Sequence, residues 1–89
     1  MKLVKILKVK NELGLHIRPA AAIVKILQKT KSKVYFSYKK ETINAKSIMS
    51  ILMLAAKKNA DITVSIMGQD AKAIMDKLLD YFENGFGDS

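Results

Sequence analysis

The sequence predicts an α+β fold, an open-faced β-sandwich in which a four-stranded antiparallel sheet carries three helices on one face, in the order β-α-β-β-α-β-α. Three observations point there. Four short segments alternate apolar and polar residues with the period of a strand, and three others repeat apolar residues every third or fourth position. No linker, repeat or low-complexity segment interrupts them, so residues 1–89 read as one domain. A chain of 89 residues buries only about 60–65 % of the surface it exposes when unfolded, which limits the core to one layer of helices on one sheet.

The first strand spans Leu3 to Val9, with Leu3, Leu7 and Val9 on one face and Lys5 interrupting it. Asn11-Glu12-Leu13-Gly14 is a turn-rich connector. From Ile17 to Lys29 the period becomes helical, with Ala20, Ile23, Val24 and Leu27 on one stripe, and the helix stops in Thr30-Lys31-Ser32. Lys33 to Tyr38 and Glu41 to Asn44 form a hairpin whose tip is Lys39-Lys40. That pair lacks the Asn-Gly chemistry of a positive-φ turn, so a looser or slightly strained tip is expected.

Ser47 is placed to cap a second helix running from Ile48 through Ala56, with Asn59 as its left-handed terminator. Asp61 to Met67 is the fourth strand, with Ile62, Val64 and Ile66 inward. Asp70 is expected to cap a last helix carrying Ala71, Ile74, Leu78 and Phe82 on its buried stripe. Residues 84–89 read as a frayed tail.

Composition excludes several chemistries. With no cysteine and a single histidine there is no disulfide framework, no thiolate nucleophile and no Cys- or His-rich metal site. The N-terminal alternation of lysines and apolar residues does not supply a signal peptide, and no run reaches the ~18 apolar residues of a membrane span. A cytoplasmic protein is expected. Sixteen basic against eight acidic residues give a net charge of +8. The lysines are scattered and arginine and exposed aromatics are scarce, so a basic surface for acidic protein partners is favoured over a nucleic-acid-binding module.

The only histidine, the only arginine and the only proline fall within Gly14-Leu15-His16-Ile17-Arg18-Pro19-Ala20. Gly14 permits a tight turn, and Pro19 pre-sets the φ of a first helical turn. His16 then stands where unpaired amides and the positive end of the helix dipole point, beside a cation that forks onto oxygen anions. Such a place binds phosphate. A nucleophilic imidazole inside it suggests covalent attachment of a phosphoryl group to His16, with Arg18 stabilising it. A simple cap with no chemistry is the competing reading. No carboxylate follows closely enough in sequence to orient the ring, and there is no nucleotide loop, so a partner must complete the active site. No cofactor and no metal is expected, and the chain is not an autonomous catalyst.

The second helix is apolar nearly all round. Ile51 and Leu54 are assigned to the core, and Ile48, Met49 and Leu52 to a partner surface. Ser47 is at least an N-cap. A phosphate on it would place about two negative charges beside that apolar surface, which makes it a candidate regulatory position.

These residues resemble the HPr family, the histidine-containing phosphocarriers of the bacterial sugar phosphotransferase system. The resemblance spans essentially the whole chain. It is carried by Gly14-Leu15-His16-Ile17-Arg18-Pro19-Ala20 and by Asn44-Ala45-Lys46-Ser47-Ile48-Met49, which is similar to the family's regulatory-serine signature.

It implies that His16 accepts a phosphoryl group on Nδ1 from enzyme I, itself charged by phosphoenolpyruvate, and passes it to an enzyme IIA domain. Arg18 and backbone amides would hold the group. Ile17, Ile48, Met49 and Leu52 would dock partners, with Lys25 meeting acidic side chains at the rim, and Ser47 would be the target of an HPr kinase/phosphorylase. A monomer with no membrane insertion is implied.

Four positions depart from the family pattern. Ile17 replaces a small residue, Leu13 stands where a small polar one is frequent, and Ala55 and Asn59 occupy places where glycine is common. The alternative within the resemblance is a regulatory relative of a nitrogen-type phosphotransfer branch.

Overall fold

The structure, a computed structural model, describes residues 1–88. Its elements are β1 (Lys2–Lys8), α1 (Ile17–Leu27), β2 (Lys33–Tyr38), β3 (Glu41–Asn44), α2 (Ile48–Met53), β4 (Asp61–Met67) and α3 (Ala71–Glu83), followed by a 3-10 turn over Gly85–Gly87. The strands lie in the order β1-β4-β2-β3, and every neighbouring pair is antiparallel. β1 and β3 are the two edges.

The period-two alternation decides which face is buried. Leu7 pairs with Ile62, Phe36 with Val64 and Val34 with Ile66, all buried under the helices. Against them pack Ile23 and Leu27 of α1, Ile51 of α2, and Ile74, Met75, Leu78 and Phe82 of α3. Phe36 meets Phe82 edge to face at 6.0 Å between ring centres. The opposite face is open and carries Val4 and Ile6 exposed. Lys5 stands opposite Val64, on the helix side of β1, and remains exposed because the strand is an edge.

Several local expectations require correction. α1 ends at Leu27 rather than Lys29, because the Thr30 amide turns back to the Leu27 carbonyl and the Thr30 hydroxyl bonds to Asp70. α2 ends at Met53 rather than Ala56. The left-handed residue just past its end is Ala55, at φ 51°, while Asn59 takes φ 75° in the later turn before β4. A glycine signal is missing at the true terminus, which is why the pattern ran on.

Asp70 does stand at the start of α3, but its carboxylate makes no cap. It accepts instead from Thr30 Oγ1, at 2.6 and 2.7 Å from its two oxygens, and from Ser32 Oγ. Those two hydroxyls belong to buried residues, and they hold the carboxyl below the usual carboxylate range, Ser32 contributing most. One carboxylate thereby ties the end of α1, the start of β2 and the start of α3 together.

The tail is the largest correction. Residues 84–88 are not frayed: Phe86 is buried, with its ring centre 4.9 Å from that of Phe82 and 5.1 Å from that of Tyr81. Asp88 N–H donates to the Gly85 carbonyl at 3.0 Å. An aromatic side chain of that size finds its burial in the gap beside Phe82, and the chain follows it. Ser89 lies outside the described residues.

Candidate functional site

The loop between β1 and α1 is built by a few backbone demands. Gly14 adopts φ 68°, where a β-carbon would stand 2.3 Å from the Ala56 carbonyl oxygen, so the loop lies directly on the segment after α2. Leu15 N–H donates to that same oxygen at 3.0 Å, and Leu15 is buried. Asn11, also buried, donates from Nδ2 to the Gly14 carbonyl at 2.8 Å. His16 follows as the N-cap of α1 in extended conformation, with its carbonyl accepting from Ala20 N–H. At the first two helical positions the Ile17 and Arg18 amides have no intrahelical acceptor, and at the third Pro19 has no N–H to satisfy.

The structure brings His16 and Arg18 together through a residue that the sequence reading left out. Asp88 Oδ2 lies 3.0 Å from His16 Nε2, and Asp88 Oδ1 accepts from an Arg18 terminal nitrogen at 2.5 Å. Asn11 Nδ2 also donates to Asp88 Oδ2, at 2.8 Å. The Asp88 side chain is only 8 % exposed, whereas that of Arg18 is 70 % exposed and that of His16 27 %. The His16 ring first, then the Asn11 amide, hold the Asp88 carboxyl below the usual carboxylate range against the opposing effect of burial. A carboxylate does contact the ring, from 72 residues away in sequence. The only hint in the chain was an isolated phenylalanine in an otherwise polar tail.

The remaining candidates divide. Ile17 is 65 % exposed and Met49 72 % exposed. Ile51 and Leu54 are buried in the core as expected, whereas Ile48 and Leu52, assigned to a partner surface, are half-buried against that core. Met53, which the sequence reading did not single out, is 77 % exposed beside them, and Leu13 is 72 % exposed in the loop before His16. Ser47 caps α2, with its Oγ accepting from Ser50 N–H at 3.2 Å. Lys25 lies further along α1, in a shallow groove with Ile26, Lys29 and Lys77. Another surface depression lies beside Asp70 and Ser32, away from His16. The His16 side chain itself is partly exposed.

An antiparallel sheet of this order, with an imidazole and a guanidinium gathered on one carboxylate at the start of its first helix, defines a small α+β protein with a histidine-centred candidate site. A family model described as "PTS HPr component phosphorylation site" matches residues 4–84. The phosphocarrier protein HPr of Chlamydia muridarum is 45 % identical over 83 residues, covering 93 % of this chain and 80 % of that protein. Its counterpart in Chlamydia pneumoniae is 48 % identical over 80 residues, covering 90 % and 74 %. Among solved structures, HPr-C-His from Thermoanaerobacter tengcongensis superposes with a TM-score of 0.92 at 32 % identity, over 98 % of both chains. The chain belongs to the HPr family of phosphocarriers of the phosphotransferase system.

Proposed function

We propose that this chain accepts a phosphoryl group on His16 Nδ1 from phosphoenolpyruvate-charged enzyme I and delivers it to an enzyme IIA domain. The observation that carries this reading is the position of His16. Its ring stands at the N-terminus of α1 with Nε2 engaged by Asp88, and the exposed Arg18 guanidinium lies alongside. A phosphoryl group on Nδ1 would meet the unpaired first-turn amides and the remaining N–H donors of Arg18, both of which favour anionic oxygens. In this reading the partners supply the rest of the reacting groups.

Docking is assigned to Ile17, Ile48, Met49 and Leu52, with Lys25 at the rim. Exposed apolar side chains such as Ile17 and Met49 exclude water when a partner covers them. Phosphorylation of Ser47 by an HPr kinase/phosphorylase would set about two negative charges beside Ile48 and Met49 and repel an acidic partner. The protein works as a cytoplasmic monomer with no nucleic-acid role. Among the described residues no helix is long and apolar enough to cross a membrane.

The test is incubation with phosphoenolpyruvate and enzyme I, followed by intact mass measurement. One acid-labile phosphate that His16→Ala abolishes is expected. An acid-stable adduct, or labelling that survives the substitution, overturns the assignment.

A further inference from the structure

The three side-chain contacts that converge on Asp88 carry an inference that rests on the phosphocarrier reading and deepens it. We propose that Asp88 is the positioning residue of the site: its carboxylate holds the His16 ring in the tautomer protonated at Nε2 and thereby makes Nδ1 the atom that accepts the phosphoryl group.

A carboxylate has acceptors only, so the ring nitrogen 3.0 Å from Asp88 Oδ2 must be the one that bears hydrogen. A neutral imidazole carries one ring proton, and the lone pair is then left at Nδ1. The carboxylate is itself fixed before any partner arrives. Asn11 Nδ2 and Arg18 both donate to it, its side chain is 8 % exposed, and Phe86, two residues earlier, is buried between the rings of Tyr81 and Phe82. Its contact with Arg18 occupies one N–H of the guanidinium and orients the rest.

The transfer balances as follows. The Nδ1 lone pair attacks phosphorus, the N–P bond forms, and the bond from phosphorus to the donor's leaving atom breaks with its electron pair staying on the donor. No proton leaves the ring. Nε2 keeps its hydrogen, so the phosphorylated ring becomes a cation, and the Asp88 carboxylate beside Nε2 opposes that new charge. On delivery the N–P pair returns to Nδ1 and the ring is neutral again. Asp88 serves both directions without exchanging a proton.

The test compares the wild-type chain with Asp88→Ala and Asp88→Asn. Two-bond 1H–15N spectra of the uncharged protein, recorded where the imidazole is neutral, read which ring nitrogen bears the proton. Single-turnover charging by enzyme I and phosphoenolpyruvate reads the rate. For Asp88→Ala, signal from the Nδ1–H tautomer should emerge, and charging should slow about tenfold, the low end of the loss typical for a partner that orients a functional imidazole. Asp88→Asn can still accept from Nε2–H but brings no charge, so it should keep the wild-type tautomer and still charge more slowly.

Backbone amide spectra confirm the fold of each variant, and if the alanine chain does not fold, the asparagine rates decide. Unchanged ring spectra in Asp88→Ala, or altered spectra with wild-type charging in both variants, overturn the proposal. A wild-type chain that enzyme I fails to charge overturns the phosphocarrier reading instead, while the ring spectra still decide whether Asp88 sets the tautomer.

Discussion

Gly14 stands so close to Ala56 that a β-carbon added to it would lie 2.3 Å from the Ala56 carbonyl oxygen and 2.9 Å from the Lys57 α-carbon. Both neighbours are backbone, which cannot swing aside as a side chain can. The loop before His16 therefore sits where it does because one residue lacks a side chain. Gly14→Ala should lose at least about 2 kcal/mol of stability, from the left-handed φ of 68° and the contact combined. Urea unfolding measures it, and a wild-type midpoint would mean that the loop is not seated on Ala56.

The hairpin between β2 and β3 turns through two lysines, Lys39 at φ 47° and Lys40 at φ 69°. This is the tight, strained form of the expected turn. Both residues occupy a region in which L side chains crowd the backbone, and the pairing of Tyr38 with Glu41 leaves no room for a looser loop. The double substitution of Lys39→Asn with Lys40→Gly supplies the residue types that such a turn favours. It should stabilise the chain by about 1 kcal/mol and raise the thermal midpoint by several degrees. A fall in the midpoint would show that the lysines contribute something that the turn geometry does not reveal.

Asp70 connects three elements through Ser32 and Thr30, and its carboxyl is held below its ordinary range mainly by those hydroxyls. A carboxyl whose folded pKa is depressed stabilises the fold above its unfolded pKa. That contribution is lost as the pH falls through the folded value. Wild type should accordingly exceed Asp70→Asn in stability at neutral pH, and the two should converge at acid pH, below the ordinary aspartate range. A gap between their urea midpoints that stays constant down to strong acid would contradict the tie.

Phe86 anchors the tail. Truncating a buried phenylalanine typically costs about 3–5 kcal/mol, but a terminal segment can peel away on its own and spare the rest of the domain. Phe86→Ala should therefore cost less than about 3 kcal/mol globally, and hydrogen exchange at the Gly87 and Asp88 amides should speed up before any other region responds. Protection that persists at Asp88 would mean that its contacts with His16, Arg18 and Asn11 hold the tail without the aromatic anchor.

Much of this architecture was legible because it rests on short-range periodicity. The alternation of Val34, Phe36 and Tyr38 and the spacing of Ala71, Ile74, Leu78 and Phe82 each record which side of an element meets the core. His16 and Arg18 were legible for the same reason, since helix-start chemistry is local. What escaped was set by tertiary demand. Ala55 takes a left-handed terminus that its residue type does not advertise. Asp70 looked like a cap, and a cap signal does not reveal that two hydroxyls some 40 residues earlier will claim the carboxylate first. Asp88 reaches His16 only because Phe86 is drawn into an aromatic gap, and no spacing rule links residues 16 and 88.

Lys5 has a further consequence. It breaks the apolar row on the helix side of β1 at the middle of an edge strand. A fifth strand laid along β1 would have to pair beside that ammonium, and an inward charge on an edge strand is one of the devices that discourage such pairing. One of the two sheet edges thus carries a charge at its middle that discourages a further strand from pairing there.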